Sequence, residues 1–217
     1  MEAGAAWIDY YRRNPGIPLD YRDCADFLAV AVEGLGLAER SAEVCVDIGA
    51  GSGLRNRDIL RRVARRIILV DVSEDSLASG EAGFPEAERR PGRVERLPLA
   101  DGIADLVVAS DLFMHIREWS EALAEVRRVM RPSALFVFNW LGTRDCQRPR
   151  AIRVPGGLIL APGVPIAFHD GAWARRRVTA AGFQIVSENR RRRLDPPHPE
   201  FFDRPHVHDE WFMVCTA

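Results

Sequence analysis

Three glycines at alternate positions, Gly49, Gly51 and Gly53, lie in the stretch VCVDIGAGSGLRNRDIL (44–60), with Asp47 just ahead of them and Asp71 beyond. Glycine at this density costs chain entropy, so the loop must need a bare backbone. A dinucleotide fingerprint calls for G-x-G-x-x-G/A, whereas here the spacing is G-x-G-x-G and Leu54 stands at the sixth position. That disfavours a pyrophosphate. Asp47 also suits a cationic ligand better than a phosphate. Asp71 closes the next apolar run, RIILVDV, where it is placed to accept from both hydroxyls of a ribose. The ligand implied is a nucleoside without phosphates and with positive charge nearby.

The other groups able to do chemistry are sparser. His115 follows an apolar run in ASDLFMHIREW, and His169 precedes a helix-like segment. His198, His206 and His208 fall in DPPHPEFFDRPHVHDEW. His206-x-His208 with Asp209 has the makings of a metal site, but no further ligand is evident, so no metal is expected. Cys24, Cys45, Cys146 and Cys215 form no CxxC pair, and Cys45 and Cys215 read as small buried hydrophobes. All 30 basic residues are Arg. The lack of Lys excludes a Walker-type phosphate loop and a lysine Schiff base; the bias itself is read as a coding preference. Arg190–Arg193 reads as a solvated edge.

The elements that must position these groups follow from the hydrophobic pattern. EVCVDIG, RIILVDV, IADLVVAS and ALFVFNW are short apolar runs rich in β-branched residues, each read as a buried strand. Helices are expected over 54–65, after Ser73 as N-cap, over EWSEALAEVRRVM, and over DGAWARRRVTAAGF with Asp170 as cap and Gly182 as stop. QIVSE and EWFMVCTA are the final strands. This alternation predicts an α/β fold: a doubly wound, Rossmann-like, mostly parallel seven-stranded sheet with an antiparallel C-terminal edge hairpin. One domain is expected over 1–217, with an N-terminal helical lid in 1–38 and substrate-side loops at 141–168 and 195–209. A net charge of −1 over 217 residues, with no apolar run of about 18, argues against a nucleic-acid coat or a membrane span. A cytoplasmic protein, monomer or homodimer, is the expectation.

The chain resembles the class I S-adenosylmethionine-dependent methyltransferases, well over about residues 40–140 and in element order elsewhere. VDIGAGSG resembles the family's first motif, and in VERLPLADGIADLVVAS the residues Leu97, Pro98, Asp101 and Asp105 match a second family stretch. The resemblance implies S-adenosylmethionine as cofactor and S-adenosylhomocysteine as product. It puts Gly49, Ala50, Gly51 and Gly53 against the methionine and ribose, and Asp47 near the amino-acid end. Asp71 falls on the ribose and Val72 beside the adenine. Arg93 stands where the family commonly has an Asp at the adenine, so Val94 and Glu95 become the adenine-side candidates. Ser110 and Asp111 are placed to touch the cofactor.

Methyl transfer from an activated sulfonium needs mainly in-line placement and exclusion of water, plus a base where the acceptor is a hydroxyl. His115, His169, His206 and His208 are the candidate bases. The expected function is methylation of a small-molecule acceptor, at oxygen, in specialised-metabolite biosynthesis, without nucleic acid or membrane as partner. Two alternatives stay open: an N-methyltransferase of an amine or amino acid, and a cofactor-binding noncatalytic or cyclase-like homologue.

Overall fold

The computed structural model describes residues 8–9, 26–36, 41–155, 157–160, 163–197 and 203–217. Most of the expected N-terminal lid, together with Cys24 and His198, lies outside them. The described elements are α1 (Asp26–Gly34), β1 (Ala42–Ile48), α2 (Arg57–Val63), β2 (Ala64–Asp71), α3 (Glu74–Ser79), β3 (Glu88–Pro91), β4 (Ala104–Ala109) and α4 (Ser120–Val129). They continue with β5 (Met130–Leu141), β6 (Ile152–Val154), β7 (Gly157–Leu160), β8 (Val164–Ile166), α5 (Gly171–Ala180), β9 (Gln184–Asp195) and β10 (His206–Thr216).

Seven strands form one sheet in the order β3-β2-β1-β4-β5-β10-β9. The first five pair in parallel, β10 pairs antiparallel with both β5 and β9, and the predicted edge hairpin is present. Strand order reverses between β1 and β4, which opens a crevice at their carboxyl ends.

The period-two alternation of the strands divides the core between two faces. Val44, Val46, Ile48, Val107, Phe136, Phe138, Trp140, Met213 and Cys215 pack on the α4–α5 side. Cys45, Leu106, Val108, Val137, Phe212 and Val214 pack with Leu28 of α1, Leu60 of α2 and Leu77 of α3. Burial on both faces is why β1, β2, β4 and β5 read as continuous apolar runs. It also raises the thiols of Cys45 and Cys215, the latter to about 12, as befits inert core residues.

Helix α4 puts Leu123, Val126 and Val129 inward in line with Trp119 and Met130. The Ser73 hydroxyl accepts from the Ser76 amide (3.2 Å), and the Asp170 carboxylate accepts from the Trp173 amide (2.7 Å), so both predicted caps form. Asp105 and Asp101, part of the family stretch, tie elements together. Asp105 accepts from the Val44 amide (2.8 Å) and from Arg131 (2.9 Å), and Asp101 from Arg128 (2.6 Å).

Two expectations are corrected. Residues 141–168 are not an irregular loop, because β6, β7 and β8 make a separate three-stranded antiparallel sheet. Its Leu160 and Ile166 pack on Met114 and Leu141 just beyond the carboxyl ends of β4 and β5. The 195–209 loop is shorter than expected, because β9 runs to Asp195 and β10 begins at His206.

Candidate active site

The glycine loop turns at the crevice, with the Gly49 amide donating to Val70 O (2.8 Å). Gly49, Gly51 and Gly53 all have positive φ, at 71, 56 and 76°. Their side-chain space differs. A Cβ on Gly53 would lie 2.3 Å from Leu69 Cδ1 and one on Gly49 3.1 Å from Leu112 Cδ1, while one on Gly51 would meet nothing within 4 Å. Gly49 and Gly53 are therefore bare for the protein's own packing. Gly51 is bare toward open space.

The Gly51 amide donates to Asp71 Oδ2 (2.8 Å) and the Ser73 amide to Oδ1 (2.9 Å). Loop and carboxylate are thus one rigid unit at the end of β2. Burial raises the Asp71 carboxyl, and the amides of Ser73, Gly51 and Val72 oppose that shift.

Asp47 ends up buried beneath the loop. Asn56 Nδ2 donates to its Oδ2 (3.0 Å) and to Ser110 Oγ (2.9 Å), while Asp47 Oδ1 has no hydrogen-bond partner among the described residues. Burial pushes the Asp47 carboxyl up to about 7, against the pull of Asn56 and Arg55. A buried carboxylate oxygen with nothing to accept from is costly, and a cationic ligand group would satisfy it.

Beyond β4 the chain turns through Asp111 at φ 53°. Its amide donates to Asn139 Oδ1 (2.6 Å), and its carboxylate accepts from Asn139 Nδ2 and Arg55 Nη1, each at 2.5 Å. Burial pushes against the charge, but the Arg55 and Arg193 guanidiniums hold this carboxyl well below the usual range. Asn139 Nδ2 also donates to Glu210 Oε1 (2.7 Å), and the fully buried Glu210 pairs with Arg191 and Arg193. A polar network therefore runs from the glycine loop across β4, β5, β10 and β9.

Val72 follows Asp71 and is half-buried, Val94 is buried in the α4-side core, and the Glu95 carboxylate lies 3.4 Å from Arg93 Nε.

The four candidate histidines separate into three places. His115 lies in a 3₁₀ turn (Phe113–His115) with its Nδ1 2.8 Å from Pro165 O of β8. The carbonyl can only accept, so the proton sits on Nδ1 and the lone pair on Nε2; burial lowers the ring's pKa. His169 stacks on Trp173 (centroids 3.6 Å apart) and meets Trp119 edge-on, and burial lowers it to about 4.

His206 and His208 are together, with their Nε2 atoms 3.1 Å apart. His208 Nδ1 lies 2.9 Å from Asp145 Oδ2 and His206 Nδ1 3.2 Å from Arg204 O. Burial opposes charge on His208, but the hydrogen bond to Asp145 carries its pKa up to about 10.

Asp209, grouped with these histidines in the sequence reading, points the other way. It accepts from Arg190 Nε (2.7 Å) and from the Arg144 amide (3.1 Å), as alternation along a strand requires. The solvated edge is also corrected. Arg190 and Arg192 are exposed as expected, Arg190 pairing with Asp209 at the surface, but Arg191 and Arg193 are half-buried and pair with Glu210 and Asp195. On the outer side a pocket of about 390 Å³ is lined by Arg144, Arg190, Arg191, Arg192, Val207 and Asp209.

Sequence reasoning missed Arg55, Asn56, Asn139, Glu210, Asp145 and Asp195. Asn139 carried a usable signal as the single polar residue in the run ALFVFNW. Asp145 carried none.

Residues 46–138 match the family model described as a methyltransferase domain. A "Probable S-adenosylmethionine-dependent methyltransferase" of Mycolicibacterium smegmatis is 33% identical over 94 residues, covering 43% of this chain and 36% of that protein. A malonyl-[acyl-carrier protein] O-methyltransferase of Geobacter sulfurreducens is 32% identical over 111 residues, 50% of this chain and 34% of its own. The chain thus spans about a third of the length of these curated relatives. Among solved structures, the Burkholderia thailandensis 1,6-didemethyltoxoflavin-N1-methyltransferase, with 1,6-didemethyltoxoflavin and S-adenosylhomocysteine bound, superposes with a TM-score of 0.72. It is 17% identical, and the match covers 99% of this chain and 86% of that one, so the two share the fold.

Proposed function

We propose that the chain is an S-adenosylmethionine-dependent methyltransferase that methylates an oxygen of a small-molecule acceptor. The observation that carries the reading is the unit formed by Gly51 and Asp71, a bare backbone bordering open space and locked to a carboxylate at the end of β2, where it could accept from ribose hydroxyls. Asp47 Oδ1, buried and without a partner among the described residues, fits the cofactor's ammonium group. Val72, Val94 and Glu95 would border the adenine. Ser110 and Asp111 would border the methionine arm, as the resemblance implies.

The cofactor supplies an electrophilic methyl group, so this chain's residues have to place the acceptor, exclude water and take a proton. The β6–β8 sheet, docked on Met114 and Leu141, is an apolar wall suited to excluding water. Its apolar character favours a specialised metabolite over a macromolecule. Among the described residues no helix is long and apolar enough to cross a membrane, which fits a cytoplasmic site of action. His115 is the preferred base, since its Nδ1 is fixed by Pro165 O and burial keeps the ring neutral.

The test is calorimetry with S-adenosylhomocysteine, then release of that product with hydroxyl and amine acceptors. Asp71→Ala should weaken binding about tenfold to a hundredfold, from the roughly 1.5–3 kcal/mol of a charged hydrogen bond. His115→Ala should lower turnover about 10²–10⁴-fold at unchanged cofactor affinity. Unaltered affinity in folded Asp71→Ala would sink the cofactor assignment. Undiminished turnover in His115→Ala would hand the reaction to an amine acceptor.

A further inference from the structure

We propose that His206, His208 and Asp195 form a binding site for one divalent transition-metal ion, with zinc(II) as the ion to test. The assignment is independent of the methyl-transfer reading and uses none of its cofactor contacts.

The donor atoms come from adjacent strands. His206 and His208 alternate on β10 and so share a face, and His206 pairs in register with Asp195 of β9. All three residues are buried. The histidine Nε2 atoms lie 3.1 Å apart and Asp195 Oδ2 lies 3.6 Å from His208 Nε2. One donor atom from each residue falls within 4.8 Å of the others. Donors about 2.0–2.1 Å from a common tetrahedral zinc ion lie roughly 3.3 Å apart, so two of the three edges are near their liganded length already.

The outer contacts point the same way. A metal-ligating histidine characteristically gives its other ring N–H to a carboxylate or backbone carbonyl. Asp145 Oδ2 stands 2.9 Å from His208 Nδ1, and Arg204 O stands 3.2 Å from His206 Nδ1. Asp145 is itself held by the amides of Gln147 (2.8 Å) and Asp209 (2.9 Å). A metal ion would displace the Nε2 proton that His208 holds at neutral pH; with one proton then left on each Nδ1, both Nε2 lone pairs face the same point.

The charge balance lets a metal ion take the place of a proton. Arg190 pairs with Asp209, Arg191 with Glu210 and Arg193 with Asp195, whose Oδ2 accepts from Arg193 Nη2 (3.0 Å), whereas the ion-pair partner of Asp145 among the described residues is His208, the ring that would exchange its Nε2 proton for the metal. Two imidazoles and a carboxylate suit zinc and its first-row neighbours better than magnesium or calcium, and three protein donors leave a coordination position open. Cys146 Sγ, 3.8 Å from His208 Nδ1, lies on the Asp145 side of that ring and is outside the proposed set.

The test is titration of the metal-free full chain with Zn²⁺ by calorimetry, and with Co²⁺ by visible absorption. One ion per chain should bind in the micromolar range or tighter, with a cobalt spectrum of nitrogen and oxygen ligation. His206→Ala and His208→Ala should each abolish binding while circular dichroism shows the fold retained. Asp145→Asn, which alters only a positioning residue, should weaken binding about 10–100-fold. Three outcomes would overturn the site: no micromolar binding of either ion, equal binding in both histidine variants, or a thiolate-to-cobalt charge-transfer band that vanishes in Cys146→Ser. In the first case the rings share only a proton.

Discussion

Asp47 and the glycines beside it show how single residues divide their duties between folding and binding. Burial raises the Asp47 carboxyl to about 7, above its ordinary 3.8, so the folded chain holds a proton there that the unfolded chain has lost. This group's contribution to stability is therefore full below about pH 4, declines as pH rises, and has gone above about pH 7. Asp47→Asn should accordingly raise the melting temperature at pH 8, with the gain vanishing toward pH 4, and should weaken S-adenosylhomocysteine binding. In the unaltered chain that affinity should be flat above about pH 7 and fall by up to about tenfold per unit below it, since a bound ammonium needs the ionised carboxylate. Calorimetry across pH 5.5–8.5, a range chosen to bracket that pKa, reads both slopes. The glycines give a second test. Gly53→Ala would press a Cβ into Leu69 at a left-handed φ and should cost about 2–5 kcal/mol of stability, whereas Gly51→Val should lose ligand binding at the left-handed backbone cost alone, about 1–2 kcal/mol. Denaturant melts set beside binding isotherms separate the two. Alternate glycines flanked by Asp47 and Asp71 made this half of the candidate site legible in the sequence. What stayed hidden was that of the three only Gly51 opens on empty space, because that depends on where Leu69 and Leu112 lie.

Among the elements, the β9–β10 hairpin was foreseen, but the continuation of β9 from QIVSE to Asp195 was not. Strands β1, β2, β4 and β5 are covered on both faces and announce themselves as apolar runs. NRRRRLD in β9 reads as polar surface, since its stabilising partners Asp209, Glu210 and Asp195 are distant in sequence or themselves charged. The small β6–β8 sheet was hidden for a related reason, as its strands are 3–4 residues long and broken by Pro and Gly. The hairpin's weight should rest on Glu210, which has no exposure and joins Arg191, Arg193 and Asn139. Glu210→Gln leaves Arg191 short of a counter-charge and Arg193 with Asp195 alone, and breaking such a buried pair costs about 3–5 kcal/mol. The melting temperature should fall by roughly 10 °C, at about 2–4 °C per kcal/mol for a chain this size. A fall of a degree or less would show that Asp195 and solvent carry these arginines unaided.

Across the whole molecule, the two faces of the sheet have different materials. The side with α1, α2 and α3 is aliphatic apart from Phe84 and Phe212, while the α4–α5 side is aromatic. Trp119 lies 5.5 Å from Trp140 and 4.8 Å from Trp173, both near perpendicular, and Trp140 stacks 6.0 Å from Trp211. Four indoles at these separations are one chromophore in optical terms. Excitation shared among them should produce strong near-ultraviolet circular dichroism, low fluorescence anisotropy through energy homotransfer, and loss of both together when the sheet comes apart. Trp119→Phe should collapse the coupled signal far beyond the one-fifth expected if the five tryptophans emitted independently. Because Trp140 and Trp211 sit on β5 and β10 while Trp173 rides on α5, the protein carries a built-in spectroscopic reporter of whether its hairpin edge and its helical layer move as one body.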